Sequence, residues 1–155
     1  MKIFVGYDHR GVKLGERILE NLVENGHDVN LPFEENTDGD DYPDIARAVC
    51  NEVKKNKGSM GILICGTGIG MNMVANKIYG IRSNLAYSEE EAYFSRRHED
   101  ANVLVLGAGY DDGKMKIKPC HRKALRIVDT FISTEFEGER HIRRLKKMQD
   151  IEKEN

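Results

Sequence analysis

Residues 60–70 read MGILICGTGIG, an unbroken apolar run that ends in a thiol and then in three glycines set at alternate positions. A short continuous apolar run is what a strand covered on both faces requires. The residues that follow, MNMVANKI, suit a helix. The stretch therefore reads as strand, glycine turn, helix, the unit from which parallel sheets are built. Working outward, the unit repeats. KIFVGY (2–7) is a β-rich run. Residues 12–25 place Ile18, Leu19, Leu22 and Val23 at helical spacing, and Gly26 suits a helix stop. HDVNL is a second strand, and residues 44–56 carry Ile45, Val49 and Val53 on one helical face beside Ala46 and Cys50. IRSNLAY, EEEAYFSRR and NVLVLG continue as strand, helix and strand. Residues 120–132 put Ala124, Leu125, Val128, Phe131 and Ile132 on one stripe, and 139–153 form a charged helix with a thin stripe of Ile142, Leu145, Met148 and Ile151. About five alternations predict a parallel sheet wrapped by helices on both sides. In such sheets ligands bind outside the carboxyl ends of the strands.

The chain has 155 residues, which suits a single domain over 1–155. Lys and Arg total 24 against 26 Asp and Glu, a balance that does not favour non-specific nucleic-acid binding. No apolar stretch approaches the roughly 20 residues of a membrane span, and MKIFVGYDH turns polar too early for a secretory signal. Three cysteines without paired spacing read as free thiols of a reducing cytoplasm.

The residues able to do chemistry sit at three strand ends where such a sheet is expected to hold its site. The first ends in YDHRG, with Asp8, His9 and Arg10; the third ends in CGTGIG; the fifth is preceded by RRHEDAN, which offers His98. ERHIRR, at the start of the last helix, adds Arg140, His141, Arg143 and Arg144. Backbone N–H groups of a glycine turn that opens a helix can cradle an anion. Gly66, Gly68 and Gly70 form G-x-G-x-G rather than the dinucleotide G-x-G-x-x-G, and no Gly-Lys-Ser/Thr follows. A purely structural tight turn explains the glycines alone equally well. Cys65 opens two further readings. A thiolate there is stabilised by the helix dipole and serves as nucleophile or base, whereas most free cysteines are small buried hydrophobes. Cys50 fits the second description, and Cys120 is assigned no role. His98 follows two arginines that should disfavour its cationic form, leaving an imidazole able to exchange protons near neutrality. Arg140 and Arg144 share a helix face and could grip phosphate, or simply lie on a solvated face. TDGDDYPD lacks EF-hand spacing, and no histidine and cysteine set has zinc spacing. A thiol, a histidine, an anion cradle and an arginine pair suit a small phosphorylated substrate and an anionic intermediate.

DHRG, DYPD, CGTGIGMNMVANKIYGIR, SRRHEDANVLVLG and the terminal EGERHIRRLKKM together resemble the ribose-5-phosphate isomerase B and galactose-6-phosphate isomerase family over nearly the whole chain. The resemblance implies a Rossmann-like three-layer α/β/α sandwich on a five-stranded parallel sheet, used without a dinucleotide. It implies no metal or organic cofactor, and a homodimer, sometimes paired into a tetramer, whose sites lie at the subunit interface with the last helix serving the partner. The implied reaction is aldose–ketose isomerisation through a cis-enediolate. Cys65 matches the base of one branch of the family; the other branch has a glutamate where this chain has Met71, which cannot act as one. Thr67 and His98 match residues that assist ring opening and oxygen protonation. The backbone of Gly66, Thr67, Gly68, Ile69 and Gly70 matches the enediolate cradle. Asp8, His9 and Tyr42 match substrate contacts, and Arg140 and Arg144 the phosphate clamp.

Three positions depart from the family pattern. Glu99 replaces an asparagine that contacts sugar hydroxyls, Gly109 replaces a phosphate-binding arginine, and Arg10 stands where relatives are often small or apolar. Arg10 is expected to replace some of the lost positive charge. The expected substrate is ribose 5-phosphate, with allose, galactose or tetrose phosphates, or a non-catalytic phosphate- or nucleotide-binding module on the same fold, as alternatives.

Overall fold

In the computed structural model, residues 1–33, 41–114, 116–117 and 121–154 are described. Cys120 and most of the acidic loop before Tyr42 lie outside them. The elements in chain order are β1 (Lys2–Tyr7), α1 (Val12–Glu24), β2 (Asp28–Asn30), α2 (Tyr42–Lys55), β3 (Met60–Cys65), α3 (Ile69–Ala75), β4 (Ser83–Leu85), α4 (Glu89–Arg97), β5 (Val103–Gly107), β6 (Tyr110–Asp111), β7 (Lys116–Ile117), α5 (His121–Ser133) and α6 (Arg140–Glu154). The five main strands form one parallel sheet in the order β2-β1-β3-β5-β4.

Strand β3 is buried at every position, as its apolar run requires. Its alternating side chains feed two cores. Ile62 and Ile64 join Ile3, Val5 and Tyr7 of β1 and Leu104 and Leu106 of β5 beneath α1, α4 and α5. Leu63 and Cys65 join Phe4, Val103 and Val105 beneath α2 and α3. This is the three-layer arrangement. The chain leaves β1 for β2 on one side and returns to β3 on the other, so the connections after β1 and β3 pass over opposite faces. The crevice between them, at the carboxyl ends, is the topological switch point where such sheets bind ligands.

Several local expectations shift. Helix α2 begins at Tyr42, with Pro43 in its first turn, where proline's missing N–H costs nothing. On α1 the inward stripe is Leu14, Ile18 and Leu22, while Val23 faces solvent. On α6 only Leu145 of the expected stripe is buried, beside His141; Ile142, Met148 and Ile151 are exposed. The small β6–β7 hairpin carries no strong alternation and was not expected from the sequence.

Candidate active site

Asp8, Cys65 and the glycine turn come together at the switch point. The Asp8 carboxylate is buried and accepts the backbone N–H groups of Arg10 and Gly11, each at 3.0 Å, so it shapes the turn after β1. His9 follows with its Nδ1 buried and unpartnered among the described residues. Arg10 lies outermost, its guanidinium 4.8 Å from the centre of the Tyr110 ring. Gly66 sits beneath both: a Cβ there would come within 2.9 Å of Arg10 Cδ and 3.3 Å of the Tyr110 ring. Gly70 is likewise pressed by Tyr42, whose Cζ would stand 2.6 Å from an added Cβ. Gly68 adopts φ +79°, which a β-carbon resists. The glycines therefore hold a turn against which an arginine and two tyrosines are packed.

Within the turn the Gly68 N–H points at Cys65 Sγ, 3.2 Å away. Burial pushes the thiol's pKa up; the backbone amides of Gly68, Met71 and Thr67 pull it down, and the Asp8 carboxylate pushes it up again. The net direction is upward, so the expected dipole-stabilised thiolate is outweighed by desolvation in the chain without substrate. Thr67 Oγ1 accepts from the Ile69 N–H at 3.2 Å, and its carbonyl accepts from the Tyr87 hydroxyl at 3.2 Å. Ile69 is exposed and Met71 fully buried. Cys50 lies in the core as expected, its pKa pushed up to about 12, chiefly by burial.

The remaining candidates are not here. His98, Glu99, Arg140 and Arg144 lie at the opposite, amino edge of the sheet, which corrects the placement of His98 at the ligand-binding ends of the strands. His98 follows a helix that runs back from the carboxyl edge, and the Gly61 N–H at the start of β3 bonds to the Asn102 carbonyl just beyond it. β3 alone, from Met60 to Cys65, spans about 16 Å at ~3.3 Å per residue. One chain thus carries two separate groups of candidate residues.

The amino-edge group is built around Asp100, at φ +46°. Its carboxylate pairs with Arg82 at 2.7 Å and Arg96 at 2.8 Å. The Asn102 side chain accepts from the Arg82 N–H and donates to the Gly80 carbonyl. These bonds fix the turn that presents His98 and Glu99. Arg96 and Arg97, expected to press on His98, are drawn into ion pairs with Asp100 and Glu137. His98 instead stacks on His141, ring centroids 4.4 Å apart. Sequence reading missed Tyr110, Tyr87 and Glu137, and named His141 among the candidates without assigning it a role. The four-residue spacing of Glu137 and His141 was the one signal available for that pair. Donor atoms of His98, Glu137 and His141 lie within 4.8 Å of one another. An ion bound to both imidazoles would have to lie in both ring planes, which are only 10° from parallel and stacked, so this trio does not fit a metal.

A ribose/galactose isomerase family model matches residues 3–148. The chain belongs to the ribose/galactose isomerase family. It is 42% identical over 154 residues to a Mycoplasma genitalium protein named probable ribose-5-phosphate isomerase B, covering 98% of this chain and 96% of that one. The structure of ribose-5-phosphate isomerase B from Clostridium thermocellum superposes with a TM-score of 0.89 at 38% identity, covering 99% of each chain. That of the M. genitalium enzyme with bound ribulose-5-phosphate gives 0.89 at 39% identity, covering 99% of this chain and 97% of that one.

Proposed function

We propose that this chain interconverts ribose 5-phosphate and ribulose 5-phosphate, with Cys65 as the base. The observation that carries this reading is the Gly68 N–H held 3.2 Å from Cys65 Sγ inside the glycine turn. What supports the reading is that a thiol and an array of amide donors share one loop at the carboxyl ends of the strands. Relatives named ribose-5-phosphate isomerase B, one with ribulose-5-phosphate bound, supply the substrate class. In the reaction the Cys65 thiolate takes the proton from C2 of the open-chain aldose. The electrons form the C1–C2 double bond and charge accumulates on O1, where the amides of residues 66–70 receive it. A proton passes from the O2 hydroxyl to O1, and the thiol then returns its own proton to C1 as O2 becomes the ketone. Burial makes the thiolate scarce in the free protein but also makes it a stronger base toward a weakly acidic C–H.

The same reading calls for a homodimer. His98, with its role in ring opening and oxygen protonation, and the Arg140–Arg144 clamp stand at the wrong end of their own sheet to reach Cys65. A second copy, related by two-fold symmetry, supplies them. Exposed Ile69, Met73, Phe94, Ile142, Met148 and Ile151 offer apolar surface for that contact. No helix among the described residues is long and apolar enough to cross a membrane. The free thiols Cys50 and Cys65 suit a reducing cytoplasm.

Aldose–ketose conversion assayed over pentose, hexose and tetrose phosphates tests this reading. Ribose 5-phosphate should be the best substrate, and Cys65→Ala should abolish turnover. Conversion of none of the sugars would reject the enzyme, and a fully active variant would reject the base.

A further inference from the structure

The inner side of α6 carries one ionisable residue that the reaction scheme does not use. His141 is 2% exposed. Its ring lies over that of His98 with planes 10° apart, and Phe94 packs on the same His98 imidazole at 5.1 Å between centroids. The His141 ring is itself held in place. Arg140 Nε–H donates to His141 Nε2 at 3.2 Å, and Glu137 Oε1 lies 3.8 Å from that nitrogen. Glu137 is in turn anchored by Arg97 at 2.9 Å. A guanidinium can only donate, so Nε2 is the accepting nitrogen and the neutral ring carries its proton on Nδ1, which is buried without a partner among the described residues. Burial, His98, Arg140 and Arg144 all disfavour the cation, and Glu137 alone favours it. His141 therefore presents His98 with a flat, uncharged face.

We propose that His141 is a positioning residue: stacked on His98, it sets the plane and reach of that imidazole, so that His98 meets the sugar oxygens in a second copy's site. The proposal rests on the reading that His98 acts on substrate. It separates the two parts of the amino-edge group. Arg140 and Arg144 grip phosphate and govern affinity, whereas His141 acts through His98 and governs turnover. It also explains why a histidine outside the reaction scheme is buried at the foot of a highly charged helix: an aromatic of imidazole size fills the gap between α6 and the end of α4.

The test compares His141→Phe with His141→Ala in the intact protein, by steady-state kinetics on ribose 5-phosphate and by NMR of the His98 ring protons. Phe keeps a stacking face and should hold kcat within about threefold of the parent. Ala removes it and should lower kcat roughly ten- to a hundredfold with KM changed little, because displacement of a reacting group acts on the chemical step. The ring-current shift of the His98 protons should persist in Phe and vanish in Ala. If the Ala variant does not fold, His141→Gln takes its place as the arm without a stack. Unchanged kcat in Ala overturns the proposal. So does a Phe variant as impaired as Ala, which would assign the role to a ring nitrogen, or a rise in KM at constant kcat, which would assign it to Arg140. If the parent protein converts no sugar phosphate, the functional reading fails, and the NMR comparison still decides whether His141 holds His98.

Discussion

Two influences act on the proton of Cys65. Amide donors invite ionisation, and burial resists it more strongly. The alkylation rate of Cys65 by iodoacetamide should therefore rise about tenfold per pH unit and still be climbing where glutathione has levelled off. The sign follows from the direction of the shift. A raised pKa keeps the unreactive thiol to higher pH, so reactivity is gained only as pH rises through that higher value. A plateau near neutrality would mean that the donors win after all. For Arg10 the prediction concerns affinity instead. Its guanidinium hangs over Gly66 against Tyr110, and no ion pair involves it among the described residues. Arg10→Ala should raise KM for ribose 5-phosphate roughly ten- to a hundredfold, as expected for a lost charge-assisted hydrogen bond. An unchanged KM would remove Arg10 from the site. Positions 65–70 and 8–10 were legible as candidates, because glycines, a thiol and charged residues stood out at strand ends, and the structure brings them together at the switch point. The sequence could not show the direction of the Cys65 shift, which depends on how deeply α3 and α2 cover the sulfur.

The turn between α4 and β5 depends on a single carboxylate. Asp100 neutralises both Arg82 and Arg96, and the Arg96 side chain is only 11% exposed. Asp100→Ala leaves that guanidinium buried and unpaired, and should cost about 2–3 kcal/mol in urea unfolding, discounted because Asp100 itself is about a third exposed. Asp100→Gly, which tolerates the positive φ, should be somewhat less damaging. Equal stability to the parent in both would show that the arginines find water instead. The elements themselves were legible: β3, α4 and α5 appear within a residue or so of their expected bounds, since long apolar runs and helical stripes are strong signals. Strand order was not. Nothing local says that β5 inserts between β3 and β4. The misplacement of His98 had a remedy in plain topology, because in a strand–helix–strand chain whatever follows a helix returns to the amino edge. The thin stripe on α6 was legible as a pattern, but three of its four apolar residues are exposed, so it does not mark a face buried in the chain's own core.

The division of candidate residues between two ends of one sheet makes a prediction about the assembled protein. Cys65→Ala and His98→Ala should each be inactive as pure proteins. Co-refolded in equal amounts, they should regain activity, because the mixed dimer holds one site with both defects and one with neither. Random pairing makes half the dimers mixed, so recovery should approach roughly a quarter of the parent's activity. Failure to recover activity in verified mixed dimers would place both groups in a single chain's site and overturn the two-copy arrangement. Gly109 bears on the same assembled site in a different way. Its φ of +113° is a conformation that residues with a β-carbon rarely adopt. A lineage that had moved its cation from the end of the fifth strand to the end of the first would find the way back obstructed. Reinstating an arginine at 109 by one codon change would strain the main chain before the new charge could help, so Arg10 would persist by descent even where the older solution served as well.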